Sequence, residues 1–306
     1  MSDLDSMALN FERLYDRVFN ALNDSDLDDI FSTLKKIDGP TLITGVGGSA
    51  VVSAYMRKVL CKKNHIIANN VYPRDVKYMD LSGYKNVVAV SYSGGNIGVD
   101  VSFENDLNHY LFSTKCRDGA NNMQYVCNDI EKSYISLAAT LIPLSILFLY
   151  YTDNNLELLK EIFEQKIDYN SDVNDVYEIM SGYESYTAAI ALESSMTETG
   201  IGTAVIHEKY NYCHGRTNLH IKYNSELIFF KSNNELDNFY SDLLPKVYKK
   251  VDIIERKYED DIINDYYWTY LTYFICRQIA LKKNIDMGQV EEASYNDKFY
   301  LFKGKM

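Results

Sequence analysis

The stretch TLITGVGGSAVVSAYMRKVL, from Thr41 to Leu60, joins a short apolar run, a glycine-rich turn and a segment with helical periodicity. The apolar run Thr41–Thr44 predicts a buried strand, and the apolar spacing from Ser49 onward predicts a helix. Backbone N–H groups and the dipole at a helix N-terminus suit an anion, and glycines let the anion approach the backbone. The stretch therefore predicts an α/β unit with an anion site at the strand-to-helix turn.

Further apolar runs follow this unit and alternate with segments of helical pattern. The predicted strands are Thr41–Thr44, His65–Ala68, Val87–Val90, Tyr110–Ser113 and Gln124–Val126. The predicted helices are Ser49–Leu60, Asn96–His109 and Ser133–Tyr151. This alternation predicts a doubly wound parallel sheet with helices on both faces, in which ligands bind beyond the carboxyl ends of the strands.

The rest of the chain predicts helices before this sheet and a second, weaker α/β unit after it. Apolar residues at helical spacing predict helices within residues 1–40, with Ser25 at a helix start. The stretch Thr152–Asn174 is polar and acidic, and we place the domain boundary within it, near residues 165–172, so that a first domain is expected at 41–165 and a second at 172–306. The second domain is expected to contain strands Val176–Met180, Thr203–Ile206, Leu227–Phe230 and Val251–Ile254, with helices Ser185–Thr197 and Ile262–Lys282. The expected fold class is α/β, with two doubly wound parallel five-stranded sheets flanked by helices and the second sheet degenerate.

The composition argues against several classes of protein. The 31 basic and 43 acidic residues give a formal charge of −12, which repels nucleic acid and anionic membranes. Five scattered cysteines without a CxxC pair indicate neither a disulfide framework nor a zinc cluster, and they favour a reducing cytoplasm. The apolar run Ile135–Tyr151 contains Ser, Thr and Pro residues and precedes no basic cluster, which favours a buried helix over a membrane span.

A second donor-rich turn, SYSGGN from Ser91 to Asn96, follows the third predicted strand. Ser91, Ser93 and Asn96 place two hydroxyl groups and an amide on this turn, with glycines between them. Such a turn can surround a phosphate with side-chain donors and backbone N–H groups together. Two turns of this kind at the carboxyl ends of neighbouring strands are rarely accidental.

The first turn also has other interpretations. Gly45, Gly47 and Ala50 satisfy the GxGxx[GA] pattern of dinucleotide-binding loops, but the end of the next strand reads HIIANN and lacks the acid that would hold a ribose. A tight turn without a ligand is a further alternative. We expect no cofactor.

The segments GVGGS, VAVSYSGGN and EKSYISLAATLIPL resemble the SIS (sugar isomerase) domain family of phosphosugar isomerases and binding proteins. The family's second loop usually reads S-x-S-G-x-T-x-[ED]. The chain matches it at Ser91, Ser93 and Gly94, has Asn96 in place of the threonine, and has Gly98 where an acid is common. The resemblance is good over Thr41–Tyr151 and weaker in the second half, and it implies two SIS-type domains. It implies that a phosphate is bound by Gly47, Gly48, Ser49, Ser91, Tyr92 (through its backbone), Ser93 and Asn96.

The resemblance also implies catalytic residues. Glu131 lies in a segment similar to the one whose glutamate moves a proton between adjacent sugar carbons in aldose–ketose isomerases, although an acid in the first turn of a helix is also common for structural reasons. The segment EKYNYCHGR is similar to the element that supplies a glutamate and a histidine in two-domain members. Glu208 would then compete with Glu131 as the base, His214 would open the sugar ring, and Arg216 would pair with an anionic group of the ligand.

Two other groupings of side chains predict no site. The spacings of His207, His214 and His220 fit no familiar zinc pattern, so we expect no metal. Glu193 and Glu198 are five residues apart on a predicted helix, and we infer no paired acid–base site from them.

The expected function is that of a phosphosugar isomerase or related enzyme, which moves a proton between C1 and C2 of a hexose phosphate or amino-sugar phosphate. The alternatives are a sugar-phosphate deglycase or lyase of the same family, and a non-catalytic sugar-phosphate-binding regulatory protein. A DNA-binding regulator is not expected, because residues 1–40 are acidic. The resemblance implies a homodimer, since the histidine that corresponds to His214 reaches across a subunit interface in several relatives. The expected partner is a phosphorylated sugar, with neither nucleic acid nor a membrane involved.

Overall fold

The computed structural model describes residues 6–128, 131, 135, 137–165, 169 and 174–289, and within them the chain forms two parallel sheets flanked by helices. The strands are β1 (Thr41–Thr44), β2 (Ala68–Val71), β3 (Asn86–Val90), β4 (Asn108–Ser113), β5 (Asn121–Gln124), β6 (Val176–Ser181), β7 (Thr203–Glu208), β8 (Glu226–Lys231) and β9 (Val251–Glu255). The helices are α1 (Ser6–Glu12), α2 (Leu14–Asp24), α3 (Leu27–Lys35), α4 (Gly48–Lys63), α5 (Ile97–Ser102), α6 (Leu137–Tyr151), α7 (Leu156–Phe163), α8 (Tyr186–Thr199), α9 (Asn218–Lys222), α10 (Glu235–Val247) and α11 (Asp261–Lys283).

Both sheets wind in the same way. The first has the order β2-β1-β3-β4-β5 and the second the order β7-β6-β8-β9, and every neighbouring pair is parallel. In each sheet the winding reverses beside the first strand, between β1 and β3 and between β6 and β8, where ligands bind in doubly wound sheets. The predicted α/β fold is confirmed. The second sheet has four strands among the described residues, one fewer than expected.

The predicted strands are least accurate at the edges of the first sheet. The structure places β2 at Ala68–Val71 rather than His65–Ala68, and β5 at Asn121–Gln124 rather than Gln124–Val126. Both edge strands are half-exposed and carry polar residues, so an apolar run does not mark them. Helix α5 is also shorter than the predicted Asn96–His109, because the chain enters β4 at Asn108.

The N-terminal helices are present, but the predicted helix start at Ser25 is wrong. Asp26 caps α3 by accepting a hydrogen bond from the N–H of Asp29. The Ser25 hydroxyl instead donates to the carbonyl of Ala21 and accepts from the N–H of Val126. Ser25 therefore ends α2 and ties it to the chain after β5.

Helix α6 is the central buried helix. Almost all of its residues are buried, on every side, which is the pattern of a helix enclosed in a core. It packs on α2, α4 and α11 and carries the apolar run that raised the question of a membrane span. Within the described residues, no helix combines the length and apolarity that crossing a membrane requires.

Helices α4 and α8 pack against each other and fix how the two sheets are related. Lys58, in the second half of α4, lies under the ring of Tyr183, just before α8 begins. Gly48, at the start of α4, shares a small cavity with Ser194 and Glu198 near the end of α8. Because α8 runs from the carboxyl end of β6 back to the amino end of β7, the carboxyl edge of the first sheet lies beside the amino edge of the second. The carboxyl edges of the two sheets therefore lie at opposite ends of the α4–α8 pair.

Candidate functional site

Two loops follow neighbouring strands at the carboxyl edge of the first sheet. The glycine loop, Gly45–Ser49, follows β1, and the serine loop, Ser91–Asn96, follows β3. The register pairs Thr44 with Ala89, so the two strands end side by side. The fold thus places both loops at the point where the winding of the sheet reverses.

Internal hydrogen bonds hold the serine loop in shape. The buried Ser91 Oγ accepts from the N–H of Gly94 and from Asn96 Nδ2, each at 3.1 Å. Asn96 Oδ1 in turn accepts from the N–H of Val99 at 3.1 Å and caps α5. Asn96 therefore closes the loop and starts the helix. Ser93 remains exposed, and its hydroxyl has no hydrogen-bond partner within the part of the chain that the structure describes.

The glycine loop forms the N-terminus of a long helix. Gly47, at φ +56°, precedes the 16-residue α4, which has no acidic residue in its first turn. The positive end of the helix dipole therefore faces the loop, and no carboxylate in the first turn of α4 itself neutralises it. Ser49 is half-buried, and its hydroxyl also lacks a partner among the described residues. The two loops thus offer free hydroxyl groups and a helix N-terminus suited to an anion.

Glu131 lies beside this edge but is held by structural contacts. Its Oε2 accepts from the N–H of Ala138 at 2.9 Å, in the first turn of α6. Its Oε1 lies 3.4 Å from Arg17 Nη1, and both side chains are almost fully buried. The carboxylate therefore anchors the start of α6 to α2. Lys132, Ser133, Tyr134 and Ser136 of the same segment lie outside the described residues.

Tyr92 connects the serine loop to this part of the molecule. Its carbonyl accepts hydrogen bonds from the N–H and the hydroxyl of Thr114, which fixes the loop against β4. Burial raises the pKa of Tyr92 to about 12, and a hydrogen bond to Cys127 and the nearby Glu131 add to the effect. Tyr92 is therefore an un-ionised phenol at neutral pH.

A cavity of about 560 Å³ opens on the other side of the glycine loop, between β2, α4 and α8. We call it the glycine-loop cavity. A volume of this size suits a small organic ligand. Its lining residues are Gly45, Gly47, Ala50, Val51, Ser53, Ala54, Asn70, Val71, Tyr72, Asp75, Tyr186, Ile190, Glu193, Ser194 and Glu198.

Sequence reasoning missed the two glutamates of α8 in this wall. Glu193 and Glu198 both line the glycine-loop cavity, and Glu198 also lines an adjoining cavity of about 180 Å³ with Gly48 and Thr140. Five residues along a helix do not put two side chains on one face, so the pattern alone gave no paired site. The glycine-loop cavity nevertheless contacts both.

The third predicted segment lies at the opposite end of the molecule. Glu208 ends β7, and His214 and Arg216 lie in the turn that follows, at the carboxyl edge of the second sheet. All three side chains are exposed, and Glu208 Oε2 accepts from the N–H of Asn211 at 2.9 Å. The structure therefore brings Ser49, the serine loop and Glu131 to one edge, but it does not bring Glu208, His214 or Arg216 to them within one chain.

The histidines considered as zinc ligands are dispersed. His207 is buried with its Nε2 2.9 Å from Glu178 Oε2, whereas His214 is exposed and His220 lies against the ring of Tyr248. Among the residues that the structure describes, no group of three or more His, Cys, Asp or Glu side chains is arranged to hold a metal ion.

Comparison with known proteins finds likeness in structure alone. No model of a known protein family matches the sequence, and no curated protein matches it either. Glucosamine-6-phosphate deaminase from Thermotoga maritima superimposes with a TM-score of 0.68 at 16% identity, over 92% of this chain and 98% of that one. The C-terminal domain of glucosamine-fructose-6-phosphate aminotransferase from Francisella tularensis gives 0.65 at 14% identity, over 93% and 98%. Tagatose-6-phosphate ketose/aldose isomerase from Escherichia coli gives 0.63 at 12% identity, over 94% of each chain. These identities are low, and the agreement over whole chains confirms the predicted fold class, in which two parallel sheets are flanked by helices.

Proposed function

We propose, on the premise that this chain has the fold of SIS-type phosphosugar isomerases, that it binds a phosphorylated sugar at the carboxyl edge of the first sheet. The phosphate would lie between the glycine loop and the serine loop, where the hydroxyl groups of Ser49 and Ser93 lack partners among the described residues and lie beside the N-terminus of α4. The observation that carries the proposal is the closed serine loop, in which Asn96 takes the place of the family's threonine and holds Ser91. The neighbours named for glucosamine 6-phosphate and tagatose 6-phosphate support the same class of ligand.

We further propose that the protein is an isomerase or a related enzyme. Isomerisation requires a base that removes the proton from C2 of the aldose and returns it to C1 of the enediolate, and an acid that protonates the ring oxygen as the ring opens. Glu131 is close to the serine loop but is engaged with Arg17 and α6, so it would have to leave these contacts to act. Glu208 and His214 are exposed, and Glu208 accepts one backbone hydrogen bond through Oε2, so that Glu208 Oε1 and the His214 ring would serve as base and acid.

Glu208 and His214 could reach the phosphate only from a second copy of the chain, since they lie at the opposite end of the α4–α8 pair. We therefore propose a homodimer in which each site combines the loops of one copy with His214, Glu208 and Arg216 of the other. Complementation tests this arrangement. At low substrate concentration Ser93→Ala is expected to keep about a tenth of the activity and His214→Ala almost none. An equal mixture of the two variants is expected to reach about a quarter of the unaltered activity after subunit exchange, because one site in each mixed dimer regains all its groups. A mixture whose activity stays at the mean of the two separate variants would contradict the arrangement.

The same phosphate site and base would also serve a deglycase or lyase that breaks a C–N or C–O bond. Product analysis distinguishes these reactions. Solvent deuterium at C2 with an isomeric sugar phosphate as product indicates isomerisation, whereas release of an amine or an acid indicates cleavage.

We propose that the protein is cytoplasmic, because its cysteines are unpaired where the structure describes them.

A second candidate is a sugar-phosphate-binding protein without catalysis. The observation that favours it is the engagement of Glu131, because a carboxylate that caps α6 and pairs with Arg17 is explained by structure alone. Calorimetry with fructose 6-phosphate, combined with a C2 proton-exchange assay, separates the two. Binding without exchange on fructose 6-phosphate, mannose 6-phosphate and glucosamine 6-phosphate would favour the binding protein.

The direct test of the phosphate site uses Ser93→Ala, with Ser82→Ala as the matched exposed loop serine of the same domain. We expect fructose 6-phosphate to bind about tenfold more weakly to Ser93→Ala, the usual cost of one hydrogen bond to a charged group, and Ser82→Ala to bind as the unaltered protein does. Equal affinities for the two variants would contradict the proposed site.

A further inference from the structure

Asn70 is a polar side chain in the wall of the glycine-loop cavity that has no hydrogen-bond partner. It lies on the edge strand β2, opposite Ile43 of β1. Its amide nitrogen and oxygen each expose less than 1 Å² and neither is paired within the described residues. A covered amide without partners costs free energy that a folded chain normally avoids. Ala68, two residues earlier on the same face of β2, is apolar and buried, so the amide of Asn70 does not continue a polar row on this face.

The wall opposite Asn70 is formed by α8 and is acidic. Glu193 and Glu198 lie there with Ser194 between them, and Asp75 adds a third carboxylate near the end of β2. Of the described residues that line the cavity, none is Lys, Arg or His. Three carboxylates in a wall whose described lining residues include no basic side chain disfavour an anion, and they accept hydrogen bonds from hydroxyl or ammonium groups. The cavity is therefore suited to a neutral or cationic group that is rich in donors.

The glycine loop connects this cavity to the proposed phosphate site. Gly45 and Gly47 line the cavity on one side, while the serine loop lies on the other side of β1. A ligand whose phosphate lies at the N-terminus of α4 can thus extend across the glycines into the cavity. A change of the Asn70 side-chain rotamer would turn the amide, which is now covered and unpaired, towards such a ligand.

We propose that Asn70 is a specificity-determining residue that hydrogen-bonds the hydroxylated part of the ligand in the glycine-loop cavity, and that this cavity accepts neutral or cationic sugars and rejects sugar acids. This proposal rests on the proposed phosphosugar function and narrows its ligand class. The cavity would bind fructose 6-phosphate and glucosamine 6-phosphate more tightly than 6-phosphogluconate, whose carboxylate would face Glu193, Glu198 and Asp75.

Calorimetry on Asn70→Ala tests the proposal, with Asn69→Ala as the control. Asn69 is the adjacent residue of β2, is exposed, and donates to the hydroxyl of Tyr84 rather than lining the cavity. The probes are inorganic phosphate, fructose 6-phosphate, glucosamine 6-phosphate and 6-phosphogluconate. We expect Asn70→Ala to bind both sugar phosphates about tenfold more weakly and to bind inorganic phosphate unchanged, because only the sugar contacts are lost. Asn69→Ala is expected to behave as the unaltered protein, and 6-phosphogluconate to bind the unaltered protein more weakly than fructose 6-phosphate.

The outcomes separate this inference from the proposed function. If sugar phosphates bind and Asn70→Ala leaves their affinities unchanged, or if 6-phosphogluconate binds best, the role of Asn70 and its cavity is overturned while the phosphate site stands. If neither phosphate nor any sugar phosphate binds, the proposed function fails and the inference fails with it. Nuclear magnetic resonance with unphosphorylated glucosamine gives independent evidence. A chemical-shift change of glucosamine that the unaltered protein and Asn69→Ala produce, and that Asn70→Ala does not, supports sugar binding in the cavity without a phosphate.

Discussion

Lys58 of α4 and Asp265 of α11 form an ion pair in which both side chains are almost completely buried. The pair joins the two halves of the chain, because α4 covers the first sheet and α11 packs on α8 of the second. Asp265 Oδ1 also accepts from the N–H of Ala188 at 3.2 Å, in the first turn of α8. The pair therefore contributes, with the packing of α4 on α8, to the relative position of the halves and to the shape of the glycine-loop cavity between them.

Removing one partner of this pair is expected to destabilise the protein strongly. Lys58→Met leaves Asp265 as a buried carboxylate without its cation, and such losses cost about 3–5 kcal/mol. The double variant Lys58→Met with Asp265→Leu removes both charges and is expected to regain most of the stability. Chemical denaturation of the three proteins checks this. A double variant less stable than Lys58→Met would contradict the interpretation.

The serine loop is expected to require glycine at 94 but not at 95. Gly94 has φ +65°, and a Cβ there would lie 2.6 Å from Ser113 Oγ and 3.1 Å from the carbonyl of Lys115. At Gly95 the nearest atom to a Cβ would be 3.9 Å away. Gly94→Ala should therefore cost about 1–3 kcal/mol and weaken phosphate binding, with little change in Gly95→Ala. Thermal denaturation and calorimetry measure both effects, and equal behaviour of the two variants would exclude this account of the loop.

Asn96 is expected to tolerate threonine better than alanine. Threonine keeps a side-chain oxygen that can cap α5, whereas alanine loses the bonds to Val99 and Ser91 and costs about 1 kcal/mol. Unfolding by urea gives the stability of each variant, and phosphate titration gives the effect on the loop. If Asn96→Thr is as unstable as Asn96→Ala, Asn96 does not stabilise the protein by capping α5.

The second sheet is expected to lose stability as the pH rises towards neutrality. Burial and the neighbouring Glu226 raise the pKa of Asp252 from 3.8 to about 7, and Tyr169 donates a hydrogen bond to Asp252 Oδ2 at 2.7 Å. A pKa raised on folding stabilises the protein fully below the unfolded value near 4, and this contribution disappears as the pH rises through about 7. The loss is on the order of 2 kcal/mol after allowance for solvent screening.

Asp252→Asn removes this titration, with Asp242→Asn as the control at an exposed aspartate of α10. Urea unfolding at intervals from pH 4.5 to pH 8 should show a flatter profile for Asp252→Asn than for the control. Parallel profiles for both variants would rule out Asp252 as the source of the pH dependence.

The sequence predicted the centre of the first sheet better than its edges or the site. Buried strands such as β3, with five buried residues in succession, are marked by apolar runs, and the glycine and serine turns are marked by their composition. The edge strand β2 reads Ala-Asn-Asn-Val and carries no such signal, so Asn70 and its cavity stayed hidden. The opposite direction of the two sheets was also not predictable from local pattern. It follows from the packing of α4 on α8, and it separates His214 from Ser93 in one chain.

A crystal of the protein soaked with fructose 6-phosphate gives the most direct test of the central claim, that the glycine and serine loops hold one phosphate between them. We predict a phosphate group within hydrogen-bonding distance of both Ser49 Oγ and Ser93 Oγ, with the sugar extending over Gly47. A phosphate bound away from these loops, or in contact with one hydroxyl while the other faces elsewhere, would contradict the account.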